Sequence, residues 1–402
     1  MTAPAPVAFW FDYSCPYAYL ASTRIAHAEQ LTGQRIDYRP MLLGGVFRAN
    51  GTAQNLMNVL SPAKAAHNFL DMNRWADLFG VPLHMPPTHP MRTVEALRAT
   101  LVTGIDRKVV DGFFRAYWVE NRDLTDRGTW RDVLAAAGQD ADAVLARIDD
   151  ASVKDDLRTR TDEAIALGIF GAPAFVSGKE LYWGQDRMHF AFDRSPNDIY
   201  SLGKGRMGHH TLEVYFDFSS PFAYLGCTQA EAVAKSTGAT LIWRPMLLGG
   251  VFKTLGQVDI PLASWSQAKQ RYYYQDMLRW AAFWNVPFKF SSHFPLNTVK
   301  PMRCYLALPP EKRDAFREKC FRATWAEDRN VTDEVVLREL LGEDADAVLA
   351  KINEPALKQE LIAATQHAVD VGVFGAPTWV VDGKDLYWGQ DRLILVEKAL
   401  GA

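Results

Sequence analysis

Short runs of aromatic and β-branched residues alternate with long stretches of helical period along this chain, and the whole alternation occurs twice. Val7 to Asp12 and Leu212 to Asp217 have the composition of buried strands. Each leads into a turn, Ser14-Cys15-Pro16 or Ser219-Ser220-Pro221. After the first turn, apolar positions at Tyr17, Leu20, Ala21, Ile25, Ala28 and Leu31 keep helical spacing, and Gly33 closes the run. Second strands are predicted at Arg35 to Arg39 and at Thr240 to Arg244. From about residue 61 to 165, and again from 264 to 370, the pattern is amphipathic helix, as in AKAAHNFLDMNRWADLF and DAFREKCFRATWAEDR. Ala174-Phe175-Val176 and Thr378-Trp379-Val380-Val381, each entered through Gly-Ala-Pro, predict an edge hairpin, and a final helix follows. This order predicts an α/β fold in which a small sheet carries an all-helical insertion.

An offset of 205 residues lays Cys15 on Ser220 and takes Tyr38-Arg39-Pro40-Met41-Leu42-Leu43-Gly44-Gly45-Val46-Phe47 onto Trp243-Arg244-Pro245-Met246-Leu247-Leu248-Gly249-Gly250-Val251-Phe252. It also takes Lys64 to Lys269, Trp75 to Trp280 and Pro82 to Pro287. Near each C-terminus, Gly168 to Arg187 answers Gly372 to Arg392, with one residue inserted in the second copy. A unit this long is a duplicated domain rather than a solenoid repeat. We therefore expect domains at 1–194 and 211–402, joined by a linker at 195–210 that is rich in Gly, Pro and Ser. Gly203 to Gly208 matches G-x-G-x-x-G, but it follows no strand and opens no helix, so it is read as linker rather than as a dinucleotide site. His209 and His210 beside it are read as solvated.

The chain has 402 residues, 48% hydrophobic and 23% charged, enough for more than one core. Its net charge of -3, with both signs interspersed, offers no basic stripe for a phosphate backbone, so nucleic acid is not an expected partner. The first residues show no signal-peptide pattern and no apolar run reaches membrane-spanning length; the expectation is a cytoplasmic protein with no membrane partner. Cys15, Cys227, Cys304 and Cys320 form no C-x-x-C pair and no zinc-like spacing, which suits free thiols in a reducing compartment. No G-x-S-x-G elbow, H-E-x-x-H or Walker loop is present, and no metal is expected.

The turn before the first helix supports two readings. Ser caps a helix and Pro suits its first position, so the pattern serves structure alone. The same geometry serves chemistry, because a helix N-terminus favours a thiolate. Cys15 is then expected to have a lowered pKa, while Ser220 can only assist a thiol that arrives from outside. Asp12 and Asp217, just upstream, are read as acceptors of turn N–H bonds rather than as bases. Trp118, Trp325 and Tyr272-Tyr273-Tyr274 are read chiefly as core.

F-D-x-x-[SC]-P-[YF]-x-Y-L, R-P-x-L-L-G-G-V-F, the lysine eleven residues before Trp75 or Trp280, and F-G-x-P followed by W-G-Q-D-R occur in the same order in both halves. Together they resemble the 2-hydroxychromene-2-carboxylate isomerase and kappa-class glutathione transferase family, a branch of the DsbA-like thioredoxin superfamily. The resemblance implies two thioredoxin-like domains, each with a helical insertion, and glutathione as cofactor. Cys15 and Ser220 match the residue that, as serine, hydrogen-bonds the glutathione sulfur. Lys64 and Lys269 match the lysine that reaches bound glutathione, where a cation suits a carboxylate. Ala172-Pro173 and Ala376-Pro377 match a cis-proline step whose backbone pairs with the tripeptide like an added strand. Gln185-Asp186 and Gln390-Asp391 match the residues that hold the γ-glutamyl end, although such aspartates also cap helices. The asparagine that the family places after G-V-F has no secure equivalent in ANGTAQN or TLGQVDI.

The resemblance implies a glutathione-dependent isomerase or kappa-type transferase, acting on an aromatic small molecule by thiolate addition and elimination. Cys15 keeps a second chemistry open, a monothiol glutathione-dependent oxidoreductase; Ala18 supplies no resolving thiol, so a dithiol cycle within the turn is excluded. A third reading is a glutathione-binding module with one inactive half. Since family members are usually dimers of single domains, the two halves are expected to pair as an intramolecular pseudo-dimer.

Overall fold

Val, which is stiff at χ1, and the aromatic residues Phe, Trp and Tyr pack well on a pleated surface. VAFWF and TLEVYF accordingly form the central strands β1 (Val7–Phe11) and β5 (Thr211–Phe216). The computed structural model describes residues 6–55, 59–202, 208–258 and 261–401. The chain divides into two units: Met1–Leu60, Asn68–Leu202 and Ser266–Lys269 in the first; Ser61–His67, Gly203–Trp265 and Gln270–Ala402 in the second.

In chain order the first repeat continues with α1 (Pro16–Thr32), β2 (Ile36–Pro40), α2 (Leu43–Ala49), α3 (Pro62–Phe79), α4 (Val94–Val102), α5 (Arg107–Trp118), α6 (Arg127–Ala136), α7 (Ala141–Arg147), α8 (Ala151–Ala166), β3 (Ala174–Ser177), β4 (Glu180–Trp183), α9 (Met188–Ala191) and α10 (Pro196–Tyr200). The second repeat follows with α11 (Pro221–Thr237), β6 (Thr240–Pro245), α12 (Leu248–Thr254), α13 (Gln267–Phe283), α14 (Val299–Ala307), α15 (Pro310–Trp325), α16 (Glu334–Leu341), α17 (Ala345–Lys351), α18 (Pro355–Val371), β7 (Thr378–Val381), β8 (Asp385–Trp388) and α19 (Leu393–Ala399).

In the first unit the sheet order is β2-β1-β3-β4. Strand β1 runs parallel to β2, across the helix α1, and antiparallel to β3, which turns back into β4. The second unit repeats this as β6-β5-β7-β8. The residue inserted in the second copy lies in its hairpin: Ser177 pairs with Glu180, whereas Val381 pairs with Asp385 across a longer loop. Each sheet packs on its helical insertion through aromatic rings. Phe11 meets Phe114 of α5 at 5.6 Å, and Phe216 meets Tyr305 of α14 at 5.3 Å. Trp118 and Trp325 are fully buried core residues.

Two details depart from the sequence reading. Leu31, expected on the buried stripe of α1, is 39% exposed, because Ala18, Leu20, Ala21, Ile25 and Ala28 already supply the packed face. Part of the expected linker is folded: Ser195 caps α10 by accepting from the Asp198 N–H, and Ile199 and Tyr200 are buried. Of the G-x-G-x-x-G match, Gly203 to Met207 lie outside the described residues. Among the described residues no helix is long and apolar enough to cross a membrane, and no group of His, Cys, Asp or Glu is arranged to hold a metal. All four cysteines are free and buried.

Candidate functional site

Asp12 and Asp217 organise the two turns. Asp12 is 1% exposed; its Oδ1 accepts from the Ser14 N–H at 2.9 Å and the Thr93 hydroxyl at 2.7 Å, and its Oδ2 from the Leu43 N–H at 2.8 Å. Asp217 repeats the pattern with Ser219 at 2.9 Å, Thr298 at 2.5 Å and Leu248 at 2.7 Å. Burial raises both carboxyl pKa values against the lowering effect of these donors. Each carboxylate therefore ties three places together, the turn, the start of α2 or α12, and the threonine ahead of α4 or α14. Indole N–H groups add a second tie: Trp118 donates to the Tyr13 carbonyl and Trp325 to the Phe218 carbonyl, each at 2.8 Å.

These ties place Cys15 and Ser220 in extended conformation at the N-termini of α1 and α11, with proline next in the helix. Ser220 Oγ accepts from the Ala223 N–H at 3.1 Å and donates to the Ala376 carbonyl at 2.9 Å. Cys15 makes no side-chain cap; its thiol donates to the Ala172 carbonyl at 3.0 Å. Sulfur is a weak acceptor, so the exchange of oxygen for sulfur gives up the cap and keeps the donation.

The lowered thiol pKa expected at a helix end is not found. Burial pushes the Cys15 thiol up to about 12, the N–H groups of Ala18 and Tyr17 oppose that rise without cancelling it, and nearby Asp12 adds to it. A helix end contributes about 1 kcal/mol to an anion. The loss of hydration for a thiolate in a site 7% exposed outweighs that.

Both Ala172-Pro173 and Ala376-Pro377 are cis, as are His89-Pro90 and Phe294-Pro295, which the sequence analysis did not anticipate. The Pro173 carbonyl accepts from the Gly184 N–H at 2.9 Å, and the Pro377 carbonyl from the Gly389 N–H at 3.0 Å, so each W-G-Q-D-R segment is laid against the loop that touches the turn. Gly184 and Gly389 have φ of 105° and 104°, and a Cβ on either would collide with the carboxylate two residues on. Gln185 and Asp186 are buried, and Asp186 pairs with Arg187 at 3.0 Å. Gln390 is buried, and Asp391 pairs with Arg392 at 3.2 Å. The Gln185 amide nitrogen has no hydrogen-bond partner.

The lysines are grouped differently from the turns of their own repeats. Lys64 belongs to the second unit, where its ammonium stands 4.7 Å from the centre of the Trp388 ring and burial lowers its pKa. Lys269 belongs to the first unit, with its N–H on Ser266 Oγ. Sequence reasoning missed Thr93 and Thr298, which stand at the same 205-residue offset as the turns and were detectable in that way. It also missed His67, whose Nε2 accepts from the Trp388 N–H at 3.2 Å; no local pattern marks it.

The model of the DSBA-like thioredoxin domain matches twice, at residues 6–194 and 211–401. A 2-hydroxychromene-2-carboxylate isomerase of Sphingobium xenophagum is 31% identical over 199 residues, 47% of this chain and 97% of its own length. Glutathione S-transferase kappa 1 of Rattus norvegicus is 26% identical over 219 residues, 51% of this chain and 94% of its own. Among solved structures, a selenomethionine 2-hydroxychromene-2-carboxylate isomerase superposes with a TM-score of 0.43 at 27% identity, over 46% of this chain and 91% of its own.

Proposed function

Because the chain belongs to the DSBA-like thioredoxin family, as two tandem copies, we propose that it is a glutathione-dependent isomerase or kappa-type transferase whose Ser220 site acts on a conjugated aromatic compound. The observation that carries this reading is the placement of Ser220. Its oxygen accepts the Ala223 N–H at the first turn of α11, so the hydroxyl hydrogen is free to turn between the Ala376 carbonyl and an incoming sulfur.

The donor set fits glutathione. A tripeptide with two carboxylates and an ammonium requires a cation and an acidic group, and the chain offers Lys64 or Lys269, and Asp186 or Asp391. The partnerless amide nitrogen of Gln185 adds one donor for a ligand oxygen. What glutathione supplies when bound is a thiolate nucleophile for addition to, and elimination from, a conjugated carbon. Ser220 holds that sulfur by hydrogen bonding, and the N-terminus of α11 favours its negative charge. Lys64 and Lys269 meet a carboxylate, Asp186 and Asp391 take the ammonium, and Gln185 and Gln390 orient the γ-glutamyl amide.

Cys15 is read as a hydrogen-bond donor in the place of serine rather than as a redox thiol, since its proton is held against the Ala172 carbonyl. The buried free thiols suit a cytoplasmic setting.

Turnover of 2-hydroxychromene-2-carboxylate by the reduced protein, with and without glutathione, tests the reading. Activity that requires glutathione, persists in Cys15→Ser and falls about a hundredfold in Ser220→Ala supports it. Glutathione-disulfide exchange that disappears in Cys15→Ser, with no isomerisation, moves the function to monothiol redox chemistry.

A further inference from the structure

Lys154, Leu157, Arg158, Thr161, Asp162 and Ile165 keep the three- and four-residue spacing of one face of α8. Helices α2 and α4 pack beside that face in the first unit. Two features hold α2 there. Thr161 Oγ1 donates to the Leu157 carbonyl at 2.8 Å and accepts the Leu42 N–H at 3.0 Å. Gly45 lacks the Cβ that would come within 2.9 Å of Thr161 Cγ2. A cavity of about 440 Å³ remains where the three helices meet, inside the range of roughly 300–1,000 Å³ in which small molecules bind. Its lining holds no residue of the Cys15 turn, the cis-proline loop or the W-G-Q-D-R segment.

The cavity combines an apolar floor with a cationic rim. Leu157 is buried, and Val94 and Ile165 are half-buried. Around them stand Arg48, Arg98, Lys154 and Arg158, together with the carboxylate of Asp162. Arg98 and Lys154 share Asp149 at 3.3 and 3.1 Å, Arg158 has Asp155 at 3.0 Å, and Arg48 forms no ion pair among the described residues. Arg98 is the innermost cation: its side chain is 17% exposed and its Nε has no hydrogen-bond partner. The second unit has the same frame with a different rim. Thr365 accepts the Leu247 N–H at 3.0 Å as Thr161 accepts that of Leu42, and Arg303 answers Arg98. On that register Ile362, 57% exposed, stands where the first unit has Arg158. Packing of the three helices therefore does not require a cation there.

We propose that the groove between α2, α4 and α8 of the first unit binds a small molecule that carries a carboxylate on an apolar body. The body gains by leaving water along Val94, Leu157 and Ile165. The head group enters the field of the rim, where Arg48, Arg98 and Arg158 bring guanidinium donors that their own carboxylates leave unused. An uncharged analogue loses the second gain, and a carboxylate without a body loses the first. The site shares no residue with the glutathione reading and stands or falls without it.

Photolabelling of the full-length protein with 4-benzoylbenzoate, followed by peptide mass spectrometry, locates binding by residue. At a probe concentration below saturation, label is expected on α8 between Leu157 and Ile165. Its yield is expected to fall about tenfold in Arg98→Gln, and as far in the double variant Arg48→Gln, Arg158→Gln. Both residues of the double variant are exposed, so it reads the site even where Arg98→Gln disturbs folding. Octanoate and 2-naphthoate as competitors separate an aliphatic from an aromatic body, and displacement by either supports the proposal. Absence of label from α8 overturns it, as does a yield that the double variant leaves unchanged or equal labelling by the uncharged 4-benzoylbenzamide. Displacement by neither carboxylate overturns it too, and displacement by an acidic amphipathic peptide alone would assign the groove to a protein partner instead.

Discussion

The Cys15 thiol donates to the Ala172 carbonyl at 3.0 Å, and burial keeps its sulfur protonated. With the thiol pKa raised to about 12 from an ordinary 9.0, thiolate chemistry is suppressed across the physiological range. At pH 8 the thiolate fraction is about a thousandfold below that of an ordinary thiol. Alkylation by iodoacetamide, followed by peptide mass spectrometry, should be slower by about that factor and should show no inflection below pH 9. The sign of the stability effect follows: the raised pKa stabilises the fold at pH below the ordinary thiol value, and that contribution is lost as pH rises from about 9 toward 12.

Removing the Asp12 carboxylate leaves the Ser14 and Leu43 N–H groups and the Thr93 hydroxyl without their acceptor. Asp12→Ala should lower stability by about 2–4 kcal/mol, read from the urea midpoint, and Asp12→Asn, which keeps one acceptor oxygen, should cost less. Equal losses from both would mean that packing rather than hydrogen bonding sets the cost.

Gly389→Ala places a Cβ against the Asp391 carboxylate on backbone with φ of 104°. A stability loss of about 1–2 kcal/mol and weaker glutathione binding are expected together, since the displaced carboxylate is the proposed partner of the ammonium. Gly178→Asn is the control: its φ is 61° and its Cβ direction is open, so it should be nearly neutral by thermal unfolding.

His189 is 2% exposed, and burial together with the nearby Arg187 charge lowers its pKa to about 3. A depressed histidine contributes stability that is fully present above the unfolded value near 6.5 and is lost as pH falls toward 3. At pH 5 the loss should be about 2 kcal/mol. Urea midpoints at pH 5 and 7 should converge in His189→Gln relative to the wild type.

The strands, the turns and the hairpins were legible because their signals are local: β-branched and aromatic runs, Pro16 and Pro221 at a helix start, and Gly33 and Gly238 at a helix end. The short helix α10 was missed although Ser195 and Pro196 are start signals, because the Gly-rich stretch after it dominates the composition. The Cys15 pKa was misjudged because the sequence displays the helix end but not the depth of burial, and the second effect is larger. The grouping of Lys64 with Trp388 was beyond reach: His67 and Trp388 bond across 321 positions, and neither residue carries a pattern that names the other.

The placement of Ser61–His67 in the second unit has a consequence for inheritance. A gene broken between the repeats would not yield two self-sufficient halves, since the piece that begins after the linker would lack the segment carrying His67 and Lys64. The start of α3 thus answers to packing against the other copy's Trp388 as well as to its own helix.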